Sequence, residues 1–191
     1  ASAFYDRGVL RARSGDSSGA LEDFDRAIAL DDEQPDFHCY RAAMLESSDR
    51  VPEAVVALDR AIELDPLRHA NYYLMRGRCR LALEDAAGAL PDLTRATELA
   101  PEDPLPPILF AQAHVRLGDV EAALADLEAA LRRNPDSPEA LVLRGLVRDD
   151  RGDRIGARAD LARALELDPS LPESGRIAET LRRIDEELGK R

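Results

Sequence analysis

The sequence holds two cysteines, Cys39 and Cys79, a single lysine, Lys190, and no tryptophan. Two thiols cannot build a framework of disulfides, and a chain of 191 residues has enough interior to need none. A reducing, cytoplasmic setting is the expectation. No apolar run approaches the roughly 20 residues that span a bilayer, and no charged-then-apolar leader opens the chain. Membrane insertion is therefore not expected. The chain begins at Ala1 rather than Met, which leaves room for a targeting segment or a domain ahead of it. Basic residues are outnumbered by acidic ones, 26 against 38, for a formal charge of −12. A nucleic-acid backbone asks for a Lys/Arg-rich face, so nucleic acid is not an expected partner. Arginine used almost to the exclusion of lysine, with abundant alanine, glycine and aspartate, points to a GC-rich, bacterial source and not to a function.

Catalytic and metal motifs are missing as well. The histidines, His38, His69 and His114, are far apart in the sequence, and neither HExxH nor CxxC occurs. His38 and Cys39 are neighbours on a helical pattern, where adjacent side chains point about 100° apart and cannot chelate together. His38 is expected to fill an aromatic slot in the core. No glycine-rich loop follows a strand pattern and no nucleophile elbow is present, so no cofactor and no catalysis are expected. Both cysteines read as buried or groove-lining thiols without reactivity.

What the sequence has instead is a period of 34 residues. Gly8 is matched by Ala42, Gly77, Ala111 and Gly145; Ala20 by Ala54, Ala89, Ala123 and Ala157; Ala27 by Ala61, Ala96, Ala130 and Ala164. Phe24 is matched by Leu58, Leu93, Leu127 and Leu161, and Pro66, Pro101, Pro135 and Pro169 close the last four repeats, with Asp32 in that slot in the first. Each repeat reads as two helices joined by a short break. In the fifth, Ser137-Pro138-Glu139 is a helix start, Leu141, Val142, Leu143, Leu146 and Val147 carry helical apolar spacing, Gly152-Asp153 ends one helix and starts the next, and Asp168-Pro169 ends that one. Small markers suit antiparallel helices crossing at roughly 8 to 10 Å. Larger side chains would push each pair apart.

This pattern resembles the tetratricopeptide repeat family, with repeats over 1–34, 35–69, 70–103, 104–137 and 138–171. The resemblance implies an all-α, right-handed solenoid of five helix-turn-helix repeats. Residues 172–191 then form a capping helix and tail, with Ile177, Leu181, Ile184 and Leu188 covering the last stacking face.

Several slots depart from the family pattern. Arg7, Arg41, Arg76 and Arg144 stand where leucine is frequent, with Phe110 in the fourth repeat, and Asp23, Asp92, Asp126 and Asp160 share a second slot in which Ala57 is the exception. The arginines are either a ligand-binding row or structural ties between the two helices of a repeat. Their place beside the Gly8-type marker favours ties, because a charge there needs a partner. The run Asp103-Pro104-Leu105-Pro106-Pro107 predicts a late start for the next helix, and Pro91 predicts a kink or a delayed start.

By resemblance, the first helix of each repeat lines a concave groove. Its slots hold Tyr5, Val9 and Ala12; Cys39, Ala43 and Glu46; Leu74, Arg78 and Leu81; Ile108, Gln112 and Val115; Val142, Leu146 and Asp149. Val9, Ala43 and Leu146 stand where a carboxylate clamp would place asparagine, so a clamp is not expected. Leu74, Leu81, Ile108, Val115, Val142 and Leu146 make an apolar strip, with Arg78 and Gln112 as polar hooks. The expected function is a non-catalytic scaffold holding a protein or peptide partner in that groove. A homo-oligomeric assembly module and a regulatory arm of a larger enzyme are the alternatives. Charge falls from −4 in the first repeat through −3, −2 and −2 to −1 in the fifth, and to zero over 172–191; a solvated surface is the expectation, and steering of a basic partner to the N-terminal end the alternative.

Overall fold

The computed structural model describes residues 1–67, 69–103 and 105–189. Among them there are eleven α-helices and no strand. Pro104, counted in the proline run above, and the tail residues Lys190 and Arg191 lie outside the described residues. The chain divides into two compact units, Ala1–Pro106 and Pro107–Arg191.

The first unit contains α1 (Ser2–Arg13), α2 (Ser17–Leu30), α3 (Pro35–Ser47), α4 (Val51–Leu64), α5 (Ala70–Ala82) and α6 (Ala86–Leu99). They pack as hairpins α1/α2, α3/α4 and α5/α6, and successive hairpins stack through α2 on α3 and α4 on α5. The helix α7 (Leu105–Leu117) begins at the junction, and α8 (Val120–Arg133), α9 (Pro138–Asp150), α10 (Arg154–Leu167) and α11 (Ser174–Gly189) complete the second unit.

Local chemistry sets each hairpin. Asp16, Asp85, Asp119 and Asp153 cap α2, α6, α8 and α10, their carboxylates accepting from the N–H of Gly19, Gly88, Ala122 and Gly156. Arg50 occupies that slot before α4 and caps nothing with its side chain. One residue earlier the chain turns through a left-handed conformation, at Gly15, Asp49, Glu84, Gly118 and Gly152.

The small markers lie where the sequence places them. A Cβ on Gly8 would stand 2.7 Å from the Phe24 ring, and one on Gly77 would stand 3.0 Å from Leu93. Phe24, Leu58, Leu93, Leu127 and Leu161 are all fully buried at these crossings, each worth about 2 to 3 kcal/mol of burial.

α7 starts at Leu105, six residues before its marker Ala111 and so one residue later than α3, α5 and α9, which start seven before theirs. Pro106 and Pro107 fall in its first turn, where no N–H partner is required, and the Leu105 N–H donates to Asp103 Oδ1 at 2.9 Å. The delayed start expected at Pro91 is corrected: α6 begins at Ala86 and continues past Pro91 to Leu99. The carbonyl deprived of a partner belongs to Ala87, which is exposed and open to water.

The last helix covers the end of the second unit. Ile177 and Ile184 are buried in one cluster with Leu161 and Ala164, and Leu181 and Leu188 pack against it half-buried. A closed ring of charges adds to this. Arg154 meets Asp149 at 2.6 Å and Glu187 at 2.7 Å, while Arg183 pairs with both the same Asp149 and Glu187.

Candidate functional site

The arginine slots are ion pairs. Arg7 Nε and Nη2 donate to Asp23 at 2.8 and 2.6 Å, Arg76 donates to Asp92 at 2.9 and 2.5 Å, and Arg144 donates to Asp160 at 2.8 and 2.7 Å. Asp23, Asp92 and Asp160 are buried, and the guanidinium beside Asp23 holds its carboxyl below the usual carboxylate range. A second arginine one turn on joins each cluster, at 3.0 Å for Arg11 with Asp23, 2.8 Å for Arg80 with Asp92 and 2.8 Å for Arg148 with Asp160.

The exceptional repeats follow the same logic. In the fourth, with Phe110 in the arginine slot, His114 takes the one-turn-on position and its Nδ1 lies 2.7 Å from Asp126. Burial pushes the Asp126 carboxyl up, against the hydrogen bond from His114. In the second, Leu45 and Ala57 replace the second arginine and the aspartate, and both are buried. Arg41 turns instead to Asp25 of the preceding repeat at 2.6 Å, as Arg76 also reaches back to Asp59 at 2.7 Å. These side chains are committed to holding helices together.

The groove slots of the first unit are largely closed by the chain itself. Cys39, Leu74 and Leu81 are buried. Cys39 Sγ lies 3.8 Å from Met75 Sδ, and Arg78 donates to Glu46 at 2.8 and 2.5 Å, a bidentate pair joining α3 and α5. Tyr5 is half-buried among Phe37, Tyr40 and Phe24, with ring centroids 5.0, 5.4 and 6.1 Å away, and Val9 is half-buried. His38 is a satisfied core residue, its Nε2 being 2.9 Å from the Asp32 carbonyl. Burial pushes the Cys39 thiol up to about 12 and the Cys79 thiol to about 11, which leaves neither a thiolate at neutral pH.

The second unit keeps an opening on its first-helix slots. Gln112 of α7 and Val142, Leu143 and Leu146 of α9 line a cleft of about 250 Å³, closed on its other side by Leu171 and Arg176. Glu139 and Glu173 stand at its rim. Ile108 is half-buried and Val115 is 39% exposed, both outside the cleft lining, and Asp149 is buried with its carboxylate engaged by Arg154 and Arg183. Of the residues assigned to the groove from sequence, the cleft therefore gathers Gln112, Val142 and Leu146. Leu171, Glu173 and Arg176 were missed because the small-residue markers stop at the fifth repeat. A signal existed, since Pro172-Glu173 echoes Pro138-Glu139 at the same 34-residue spacing. Among the described residues no group of three or more His, Cys, Asp or Glu is placed to hold a metal ion, and no helix is long and apolar enough to cross a membrane.

Known proteins place this architecture. The human tetratricopeptide repeat protein 13 is 33% identical over 109 residues, which are 54% of this chain and 12% of that protein. Among solved structures, residues 41 to the end of MamA from Desulfovibrio magneticus RS-1 superpose with a TM-score of 0.81 at 19% identity, covering 90% of this chain and 96% of the other. A thermophilic TPR protein of Thermus thermophilus gives 0.75 at 22% identity, covering 94% and 98%. YrrB, a TPR protein with an unusual peptide-binding site, gives 0.74 at 20% identity, covering 92% and 90%. These likenesses show the all-α solenoid fold. The tetratricopeptide repeat family model matches residues 5–68, 48–104 and 108–172, the five-fold period and the helix hairpins account for the match, and the chain belongs to that family.

Proposed function

We propose that the chain is a non-catalytic scaffold that receives a segment of a partner protein on the first-helix slots of its second unit. The observation that carries this is the contrast between the units. Slots of the first unit are spent on internal contacts, including the Arg78–Glu46 pair, whereas Gln112, Val142 and Leu146 line an open cleft. Half-exposed aliphatic side chains around a cleft gain from being covered by a partner. The peptide-binding site of YrrB, on the same fold, supports a peptide as the class of partner. His38 and His114 are hydrogen-bonded within the fold, and both thiols are buried.

The test is site-specific photo-cross-linking with p-benzoylphenylalanine in place of Gln112, and in place of Ile155, which is 74% exposed on α10, as a control. Discrete protein adducts from source-cell extract at position 112 and not at 155 are the expected result. Equal adducts at both positions, or none at 112, overturn it.

A further inference from the structure

The charge arrangement around the cleft narrows what can enter it. Glu139 and Glu173 occupy the same slot of successive first helices, one in the opening turn of α9 and the other immediately before α11. Several carboxylates of this unit meet cations, as in Asp136 with Arg163, Asp149 with Arg154, Asp160 with Arg144 and Asp185 with Arg158. Glu139 accepts only from Ser137 Oγ, at 3.1 Å, and no cation of the described residues reaches either rim carboxylate. Arg176 is the single cation of the lining and is likewise without an ion pair among the described residues.

The floor adds a size limit. Val142, Leu143, Leu146 and Leu171 are apolar, and about 250 Å³ lies below the roughly 300 to 1,000 Å³ typical of small-molecule sites. The space suits one aliphatic side chain of a peptide. The two rim carboxylates outnumber the single cation of the lining, Arg176, and hold a basic side chain at short range.

Resting on the scaffold reading above, we propose that this cleft selects a peptide segment in which one leucine, isoleucine or methionine side chain is flanked by lysine or arginine. The aliphatic side chain sits on Val142, Leu146 and Leu171. Its basic neighbours meet Glu139 and Glu173, and Gln112 and Arg176 donate to main-chain carbonyls of the segment.

The experiment uses the full chain, isotope-labelled, titrated by NMR with three end-blocked peptides: Gly-Lys-Leu-Lys-Gly, Gly-Lys-Ala-Lys-Gly and Gly-Glu-Leu-Glu-Gly. The expected result is saturable shifts centred on the amides of Val142, Leu146, Leu171 and Arg176 with the first. The alanine and glutamate peptides should each bind at least about tenfold more weakly, a difference of about 1.4 kcal/mol. Glu139→Gln with Glu173→Gln, both exposed positions that leave the floor intact, should abolish the preference for lysine and keep that for leucine over alanine. Equal or tighter binding of the glutamate peptide, shifts centred elsewhere, or no saturable shift with any peptide overturns the inference. Adducts at position 112 in the cross-linking experiment, obtained alongside such a failure, would leave the scaffold reading standing and remove only the basic, aliphatic specificity. Absence of both would remove the two together.

Discussion

Gly145 lies so close to Leu161 that a Cβ at position 145 would stand 2.7 Å from Leu161 Cγ and 3.3 Å from the Ala157 carbonyl oxygen. The second and fourth repeats hold Ala42 and Ala111 at this crossing, so a methyl is tolerated where the backbone gives way. At Gly145 the obstacle is a branch point and a main-chain atom rather than the end of a flexible side chain. Gly145→Ala should therefore lower stability by about 1 kcal/mol, overpacking outweighing the gain in helix propensity. At Gly77 the nearest atom is a terminal methyl of Leu93 at 3.0 Å, and Gly77→Ala should be close to neutral. Urea unfolding of the two variants checks the order.

Asp160 accepts from Arg144 and Arg148 while buried, so its removal leaves two guanidinium groups facing each other. Both arginines retain some exposure and can recover part of their hydration. Asp160→Ala should cost about 3 kcal/mol, at the low end for breaking a buried pair. Combining it with Arg148→Leu copies the second repeat, where Leu45 and Ala57 fill these slots, and should restore at least about 1 kcal/mol. Thermal and urea midpoints measure both. A loss of partner binding without any loss of stability would instead assign these arginines to a ligand.

The turn before each second helix is left-handed in all five repeats, and two repeats place a side chain there. Asp49 and Glu84 both have φ of 60°, where an L residue is strained. Asp49→Gly should stabilise the chain by about 0.5 to 1 kcal/mol, since Gly15, Gly118 and Gly152 already meet the same demand without strain. An equal or lower urea midpoint for this variant would count against it.

Asp23, Glu53 and Glu187 have their carboxyls held below the ordinary range, in each case chiefly by a hydrogen bond from arginine, namely Arg7, Arg50 and Arg154. A carboxyl whose folded value lies below its unfolded one contributes stability that is present above the unfolded value, near pH 4, and lost as pH falls through the folded one. Stability should therefore be level above about pH 5 and decline below about pH 4. Asp23→Asn removes one of these protonations and should flatten the acid limb, read from urea midpoints between pH 2 and pH 7.

The hairpins were legible because small residues, buried leucines and terminal prolines each repeat in one register, and three series in phase leave one geometry. The Arg–Asp pairs were legible for the same reason, since a charge beside Gly8, Gly77 or Gly145 meets the facing helix of its own repeat; the reach of Arg76 back to Asp59 was not. The second arginines, Arg11, Arg80 and Arg148, also keep the period, one turn after the first set, and could have been read from it. Periodicity does not say which slots stay open. Leu74 and Leu146 hold related slots of the first helices, yet Leu74 is buried and Leu146 lines the cleft. That difference depends on side chains arriving from elsewhere, including Leu171 of the loop after α10 and Arg176 of α11. Pro91 misled about the start of α6 because the effect of a proline depends on its distance from the helix start, which a motif does not encode.

Both cysteines lie within the unit Ala1–Pro106, and both are buried with their thiols held protonated; Pro107–Arg191 contains none. A thiol reagent in solution consequently meets no reactive group until the first unit opens, and its rate of incorporation records how often that happens. The native chain thus carries its own clock for the opening of one unit, silent toward the other, with no label introduced and no residue changed.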